Sequence, residues 1–191
     1  MLSETSSEKF FDTKYRLNSD PWKFATDAYE QSRYSATIDA LEGRKFEYAF
    51  EPGCSIGVLT QKLAGFCKHV RAIDISHTAV LRAQARCKEL PNVEVSHGRL
   101  PQAIPSDPID LIVFSEIGYY FKEDELSRVV RDLISHLTPA GTLLAVHWLG
   151  HSTDHQLTGD QVHQIIAAVP GLHNTLSRCY KGFRLDLWRK Q

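Results

Sequence analysis

The chain has 191 residues, a length for one domain, and its 42% hydrophobic and 24% charged residues are ordinary for a globular protein. Its 22 Lys and Arg stand against 23 Asp and Glu, so the net charge is −1 and no basic surplus points to nucleic acid or an anionic membrane. A chain this long buries a sizeable core, which excludes disorder, and the expected partner is a small-molecule substrate rather than a polyanion.

Residues 1–19 read as loose and polar, apart from Phe10, Phe11 and Tyr15. Asp20-Pro21 reads as an N-cap followed by a helix-starting proline. Tyr34, Ile38 and Leu41 share one face of a helix from about Asp27 to Leu41, which Gly43 stops. This lead-in, residues 1–44, is expected to be a helical segment set before a main domain over 45–191. The first strand is Tyr48–Glu51, running into the turn Pro52–Gly57 and a helix with Leu59, Leu63 and Phe66 on one face. The second strand is Val70–Ile75, and Ser76 caps a helix that runs to about Leu90. Val93–Val95 is a short third strand, and Asp110–Phe114 a buried fourth, apolar almost throughout as parallel strands are. A helix from about Glu123 to His136 leads to a turn at Pro139-Ala140-Gly141 and a fifth strand, Thr142–Trp148. Thr158–Val169 reads as a Thr158-capped helix, and Leu172–Tyr180 with Phe183–Trp188 as a closing hairpin.

The four cysteines, Cys54, Cys67, Cys87 and Cys179, include no C-x-x-C pair, so neither a zinc ribbon nor a redox dithiol is suggested. A reducing cytosol is their simplest home. The start, MLSETSSEKFF, lacks the basic-then-apolar shape of a secretory signal, and Leu111–Phe114 and Leu143–Trp148 are far too short to span a membrane. The expectation is a cytoplasmic monomer or homodimer.

Strands alternating with helices mean βαβ units and a parallel sheet, whose ligands bind outside the carboxyl ends of the strands. The residues after each strand therefore matter most. After strand one, Glu51–Gly57 has the spacing G-x-x-x-G rather than the G-x-G-x-x-G of a dinucleotide fingerprint, and an acid ends the strand. A carboxylate repels a pyrophosphate and attracts a cation. Asp74 stands 21 residues past Gly53, a separation at which an acid takes both hydroxyls of a ribose. Together these point to an adenosine-type cofactor.

On these residues the chain resembles the class I S-adenosylmethionine-dependent methyltransferases. The matching pieces are E-P-G-C-S-I-G (Glu51–Gly57), A-I-D (Ala72–Asp74), D-L-I-V-F-S-E (Asp110–Glu116) and T-P-A-G-T-L (Thr138–Leu143). The lead-in D-P-W (Asp20–Trp22), Y-E-x-x-R-Y (Tyr29–Tyr34) and E-I-G-Y-Y (Glu116–Tyr120) are similar to the nodulation protein S branch, whose founding members N-methylate an amino sugar of a chitooligosaccharide. The resemblance implies an α/β, Rossmann-like methyltransferase fold: a mostly parallel seven-stranded sheet flanked by helices, with an antiparallel C-terminal hairpin. It implies S-adenosyl-L-methionine as cofactor, with the lead-in capping its site. Gly53, Cys54 and Gly57 would hold its methionine part, with Glu51 near the ammonium. Asp74 would take the ribose, Ile75 would pack on the adenine, and Ser115 and Glu116 would line the methyl region. Trp22 and Arg33 would close over it, Arg33 pairing with its carboxylate. One departure stands out. Arg99 occupies the place of an acid that accepts from the adenine amine, and an arginine only donates, so contacts there fall to Arg99 and Leu100 themselves.

Methyl transfer to an amine or hydroxyl needs alignment and a base near neutral pKa. His147, toward the end of strand five, is the expected base, with Glu116 second. Tyr119 and Tyr120 offer an aromatic wall to the sulfonium. His147, His151 and His155 are four apart, but Gly150 opposes a helix, so no metal site is expected. His151, in a loop to Asp160, and His163 are expected to face the substrate. N-methylation of a small polar amine leads. A binding-only relative, an O-methyltransferase and a nicotinamide oxidoreductase are the alternatives.

Overall fold

The computed structural model describes residues 7–191. The strands are β1 (Phe46–Pro52), β2 (Cys67–Asp74), β3 (Val93–His97), β4 (Ile109–Ser115), β5 (Leu137–Trp148), β6 (Leu172–Cys179) and β7 (Phe183–Lys190). The helices are α1 (Glu8–Leu17), α2 (Ala28–Asp39), α3 (Val58–Leu63), α4 (His77–Cys87), α5 (Glu123–His136) and α6 (Gly159–Ala167). A 3-10 turn, Gly118–Tyr120, follows β4. All seven strands form one sheet in the order β3-β2-β1-β4-β5-β7-β6. The first five pair in parallel, and β7 runs antiparallel to both β5 and β6. This is the expected Rossmann-like architecture with its C-terminal hairpin.

Local chemistry explains most boundaries. Ser76 Oγ accepts from Ala79 N and caps α4. Thr158 and Gln161 form a reciprocal capping box at α6. The α5 helix buries Leu126, Val129, Val130, Leu133 and Ile134 on one stripe, each worth roughly 1.5–3 kcal/mol of transfer free energy. Beneath it, Phe50, Ile112, Phe114, Leu143 and Ala145 fill one face of the sheet. The other face packs Ala49, Leu111, Val113, Leu144 and Leu185 against Tyr34, Leu41, Leu59 and Leu63.

Three expectations are corrected. The segment read as loose holds α1, capped by Ser7 and docked on α4, where Asp12 Oδ1 accepts from Ser76 Oγ (2.8 Å) and Thr78 N (2.9 Å); residues 1–6 of that segment lie outside the described residues. Asp20-Pro21 starts a turn instead of a helix, because both Asp20 oxygens accept backbone N–H groups, from Phe24 and Ala25. Pro139-Ala140-Gly141 lies within β5. The strand pairs Leu137 with Ile109, shifts register, and resumes with Thr142 against Leu111, Ala140 turning at φ +59°.

Gly57 shows how the turn after β1 is built. It precedes α3 at φ +78°, and a Cβ there would lie 3.0 Å from Ala83 Cα on α4. A side chain meets both a left-handed backbone and a packed helix. Gly57→Ala is expected to cost roughly 1–2 kcal/mol or more from the backbone alone, read as a lowered midpoint in urea unfolding.

Candidate active site

The sheet order reverses between β1 and β4, and the loops leaving their carboxyl ends frame a crevice. The two loops touch. Gly53, at φ +78°, has no room for a Cβ, which would overlap Ile117 Cγ2. Above them lies a cavity of about 610 Å³, inside the usual range for small-molecule sites. Of the residues singled out in the sequence, Trp22, Gly53, Asp74, Ile75, Arg99 and Leu100 line it. Ser115, Glu116, Tyr119, Tyr120 and His151 line it as well.

Four amides of the first turn are already committed. Gly53 N and Cys54 N both donate to Ile73 O (2.7 and 2.9 Å), Gly57 N to Cys54 O (2.9 Å), and Ser55 N to Asp74 Oδ2 (2.8 Å). These amides are not free to cradle a phosphate. Asp74 is 7% exposed, and its other oxygen accepts from Ser76 N (2.9 Å). Each carboxylate oxygen thus keeps an acceptor site at the cavity wall. Burial pushes this carboxyl up to about 6, against the two backbone N–H groups that favour its charged form.

Several expected cofactor ligands lie elsewhere. Glu51 is buried behind the turn, accepts from Thr60 Oγ1 (2.6 Å), and does not line the cavity. Cys54 packs with Ala72, Val80, Ala83 and Val95, and Gly57 serves the α3–α4 contact. Arg33 is 1% exposed and pairs within the protein, with Glu30 and with Glu116 (Nη1 to Oε1, 3.0 Å). It clamps the lead-in to the loop after β4, and its carboxylate partners are the protein's own. Trp22 stands over the crevice, stacked on Phe24 at 5.6 Å between centroids.

Glu116 adopts φ +61° and is held by the protein on both carboxylate oxygens. Oε1 accepts from Trp148 N (2.7 Å), Oε2 from Tyr119 OH (3.0 Å), and Arg33 neutralises it. Burial raises its pKa, and Arg33 opposes the rise. Its partners make it a structural acceptor rather than a free base.

The expected base is also displaced. His147 is 0% exposed, does not line this cavity, and uses Nε2 to accept from Gly118 N (3.1 Å). Burial and His163 hold its pKa well below 6.5. His163 is 1% exposed and lies between His147 and Asp186, so it does not meet a substrate. Both point to the side of β5 covered by α6. Among the cavity residues that the sequence did not single out as site groups are Tyr15, Ser55 and His155. Tyr15 donates to Ser55 Oγ (2.5 Å) across the crevice. Ser55 takes φ +53° at the cavity wall. His155 stacks on Tyr119 at 3.7 Å and 16°. The Phe11/Tyr15 spacing of i, i+4 carried a helical signal for the first; nothing local marks the others.

Glu8, His77 and His97 bring ligand atoms within 4.8 Å of one another. The two imidazoles are stacked at 3.7 Å and 9°, so one ion cannot lie in both ring planes, and no metal is assigned there. No helix among the described residues is long and apolar enough to cross a membrane.

A glycine turn, a buried acid at the end of β2 and a reversed parallel sheet define the class I methyltransferase fold, and solved structures agree. A candidate methyltransferase from Pseudomonas syringae is 35% identical, with a TM-score of 0.76 over 86% of this chain and 100% of that one. The N-methyltransferase NodS from Bradyrhizobium japonicum, in complex with S-adenosyl-L-homocysteine, is 22% identical, with a TM-score of 0.84 over 98% and 99%. Residues 8–154 match the family Nodulation protein S (NodS), and the chain belongs to that family. Nodulation protein S of Sinorhizobium fredii is 33% identical over 127 residues, 65% of this chain and 59% of that protein. Its counterpart in Bradyrhizobium diazoefficiens is 29% identical over 127 residues, 65% and 61%. The match thus spans about three fifths of these curated relatives' length.

Glu51 has a readable consequence for stability. Its carboxyl ionises near its ordinary 4.5 in the unfolded chain and near 8 in the fold, because burial penalises the charge. Between those values the folded state holds a proton that the unfolded chain has lost, so this group's effect is to lower stability as pH rises. Glu51→Gln is expected to gain stability over the unmodified protein as pH goes from 5 to 8, compared by denaturant unfolding at each pH.

Proposed function

We propose that this protein is an S-adenosyl-L-methionine-dependent methyltransferase of the cytoplasm that N-methylates a small polar amine, an amino sugar or a related molecule. The observation that carries the reading is Asp74. It is a buried acid at the end of β2, anchored by one backbone N–H on each oxygen and keeping acceptor sites toward the cavity. That arrangement suits the two hydroxyls of a ribose. The committed amides beside it disfavour a pyrophosphate, and with it a nicotinamide dinucleotide.

The residues present fit the cofactor's chemistry. Ile75 and Leu100 give apolar surface to an adenine, and Arg99 contributes donors only, so base recognition falls to the backbone and to packing. Bound there, S-adenosyl-L-methionine would supply a methyl group on a sulfonium. Tyr15 and Trp22, brought by the lead-in, cover the crevice and exclude water. Tyr119, Tyr120 and Trp148 give the other end aromatic faces, which attract cations. An ammonium must lose a proton before its nitrogen attacks. Of the two histidines that line the cavity, His151 and His155, we assign that role to His155: burial lowers its pKa, which leaves a bare ring nitrogen at neutral pH. It replaces His147 in that role.

Calorimetry with S-adenosyl-L-homocysteine and with NADH tests the cofactor, and a mass-spectrometric screen of amino sugars, amino acids and phenols for gain of one methyl tests the reaction. Binding of NADH alone would sink the reading, and binding of S-adenosyl-L-homocysteine with no methyl gain would favour a binding-only relative. Asp74→Ala is expected to weaken S-adenosyl-L-homocysteine binding more than ~10-fold, the loss of hydrogen bonds to buried hydroxyls. His155→Gln is expected to leave that binding within about twofold and to lower turnover roughly 100-fold, the lower range for a lost general base.

A further inference from the structure

Beneath the tyrosine end of the cavity, one hydrogen-bonded line crosses three elements. Gly118 N donates to His147 Nε2 on β5 (3.1 Å). His147 Nδ1 lies 3.1 Å from His163 Nε2 on α6, and His163 Nδ1 lies 2.7 Å from Asp186 Oδ2 on β7. The backbone amide can only donate, so His147 Nε2 is the bare nitrogen. A neutral ring then carries its proton on Nδ1, aimed at His163. His163 must be bare at Nε2 and protonated at Nδ1, where Asp186 accepts. Each tautomer dictates the next, and the carboxylate is the fixed end. Ser177 Oγ (2.6 Å) and Arg184 Nε (2.8 Å) hold that carboxylate in place.

The other end of the line supports the cavity wall. Gly118 opens the turn that bears Tyr119 and Tyr120. A Cβ at 118 would lie 2.8 Å from His147 Nε2 and 2.9 Å from Phe114 Cε1, so the turn rests directly on the imidazole. Beyond it, Tyr119 O accepts from Gln156 N (2.8 Å) and Leu157 N (3.2 Å), which keeps the loop carrying His155 against the Tyr119 ring.

We propose that His147, His163 and Asp186 are positioning residues: the Asp186 carboxylate sets the tautomers of both histidines, and His147 thereby holds the Gly118–Tyr120 turn and His155 in place at the cavity. The proposal rests on the reading that this end of the cavity takes the methyl acceptor.

Imidazole nitrogen-15 NMR on the full chain tests it without any acceptor. His147 and His163 are both expected as neutral rings protonated at Nδ1, and a His155 ring proton is expected upfield because of its stacking on Tyr119. His147→Phe keeps a ring but removes the acceptor. It is expected to lose more than half of the His155 upfield shift while S-adenosyl-L-homocysteine binding stays within about twofold. His147→Gln, with an acceptor oxygen within reach of Gly118 N, is expected to restore the shift. A proton on His147 Nε2 in the unmodified protein, or a His155 shift unchanged in His147→Phe, would overturn the proposal. So would a folded His147→Gln protein that lacks the shift. If His147→Phe does not fold, the unmodified tautomers and the Gln variant decide. If the unmodified protein shows the tautomers but does not bind S-adenosyl-L-homocysteine, the hydrogen-bond line stands and the methyltransferase reading is what fails.

Discussion

The contact between Gly53 and Ile117 is the constraint on which the rest of the site depends. It joins the loops leaving β1 and β4 at the one place where the strand order reverses. Chain connections diverge to either side of that point, which opens a crevice at the carboxyl edge of the sheet. Asp74 reaches the crevice from β2, Ser115 and Glu116 from β4, and Trp148 from β5. A side chain at position 53 would push the two loops apart and widen the floor on which every other cavity residue is placed.

A second tier of order comes from buried charge. Arg33 and Glu116 are costly to bury separately, so each fixes the other. Arg33 belongs to α2 and Glu116 to the loop after β4, while Trp148 N, which donates to Glu116, belongs to β5. One carboxylate therefore draws together the lead-in, the reversal point and the rim of the cavity. The left-handed backbone at Glu116 is a local strain of the kind that surrounding contacts must maintain, and here Arg33, Tyr119 and Trp148 maintain it. Lys14–Asp154 (3.2 Å) and the edge-on Phe11–Tyr120 contact add a lighter bridge from α1 across the same opening.

The net charge of −1 gains meaning from this geometry. The cavity is lined by aromatic rings and placed acids, and four amides of the turn after β1 are spent on Ile73, Cys54 and Asp74. What the cavity can hold follows from where a few polar groups point, which whole-chain charge does not record.

The sequence by itself determined the order and type of the elements from α2 onward and the two strand-end signals. Helical periodicity and capping residues are local, so α5 and the caps at Ser76 and Thr158 were legible from neighbours three and four residues away. Gly53 and Asp74 were legible because strand ends are where such a sheet binds ligands. Only the tertiary structure decided which way the remaining candidates face. The central strands are covered on both sides, so both faces read as apolar, and nothing in Thr142–Trp148 tells whether His147 meets the crevice or α6. Glu51, Cys54 and Arg33 face inward for the same reason: their partners, Thr60, Ala83 and Glu116, are set by how helices pack on the sheet. Tyr15 and His155 entered the site through contacts with Ser55 and Tyr119, residues distant in the chain, and local spacing, such as the i, i+4 of Phe11 and Tyr15, does not record the partner of a long-range contact.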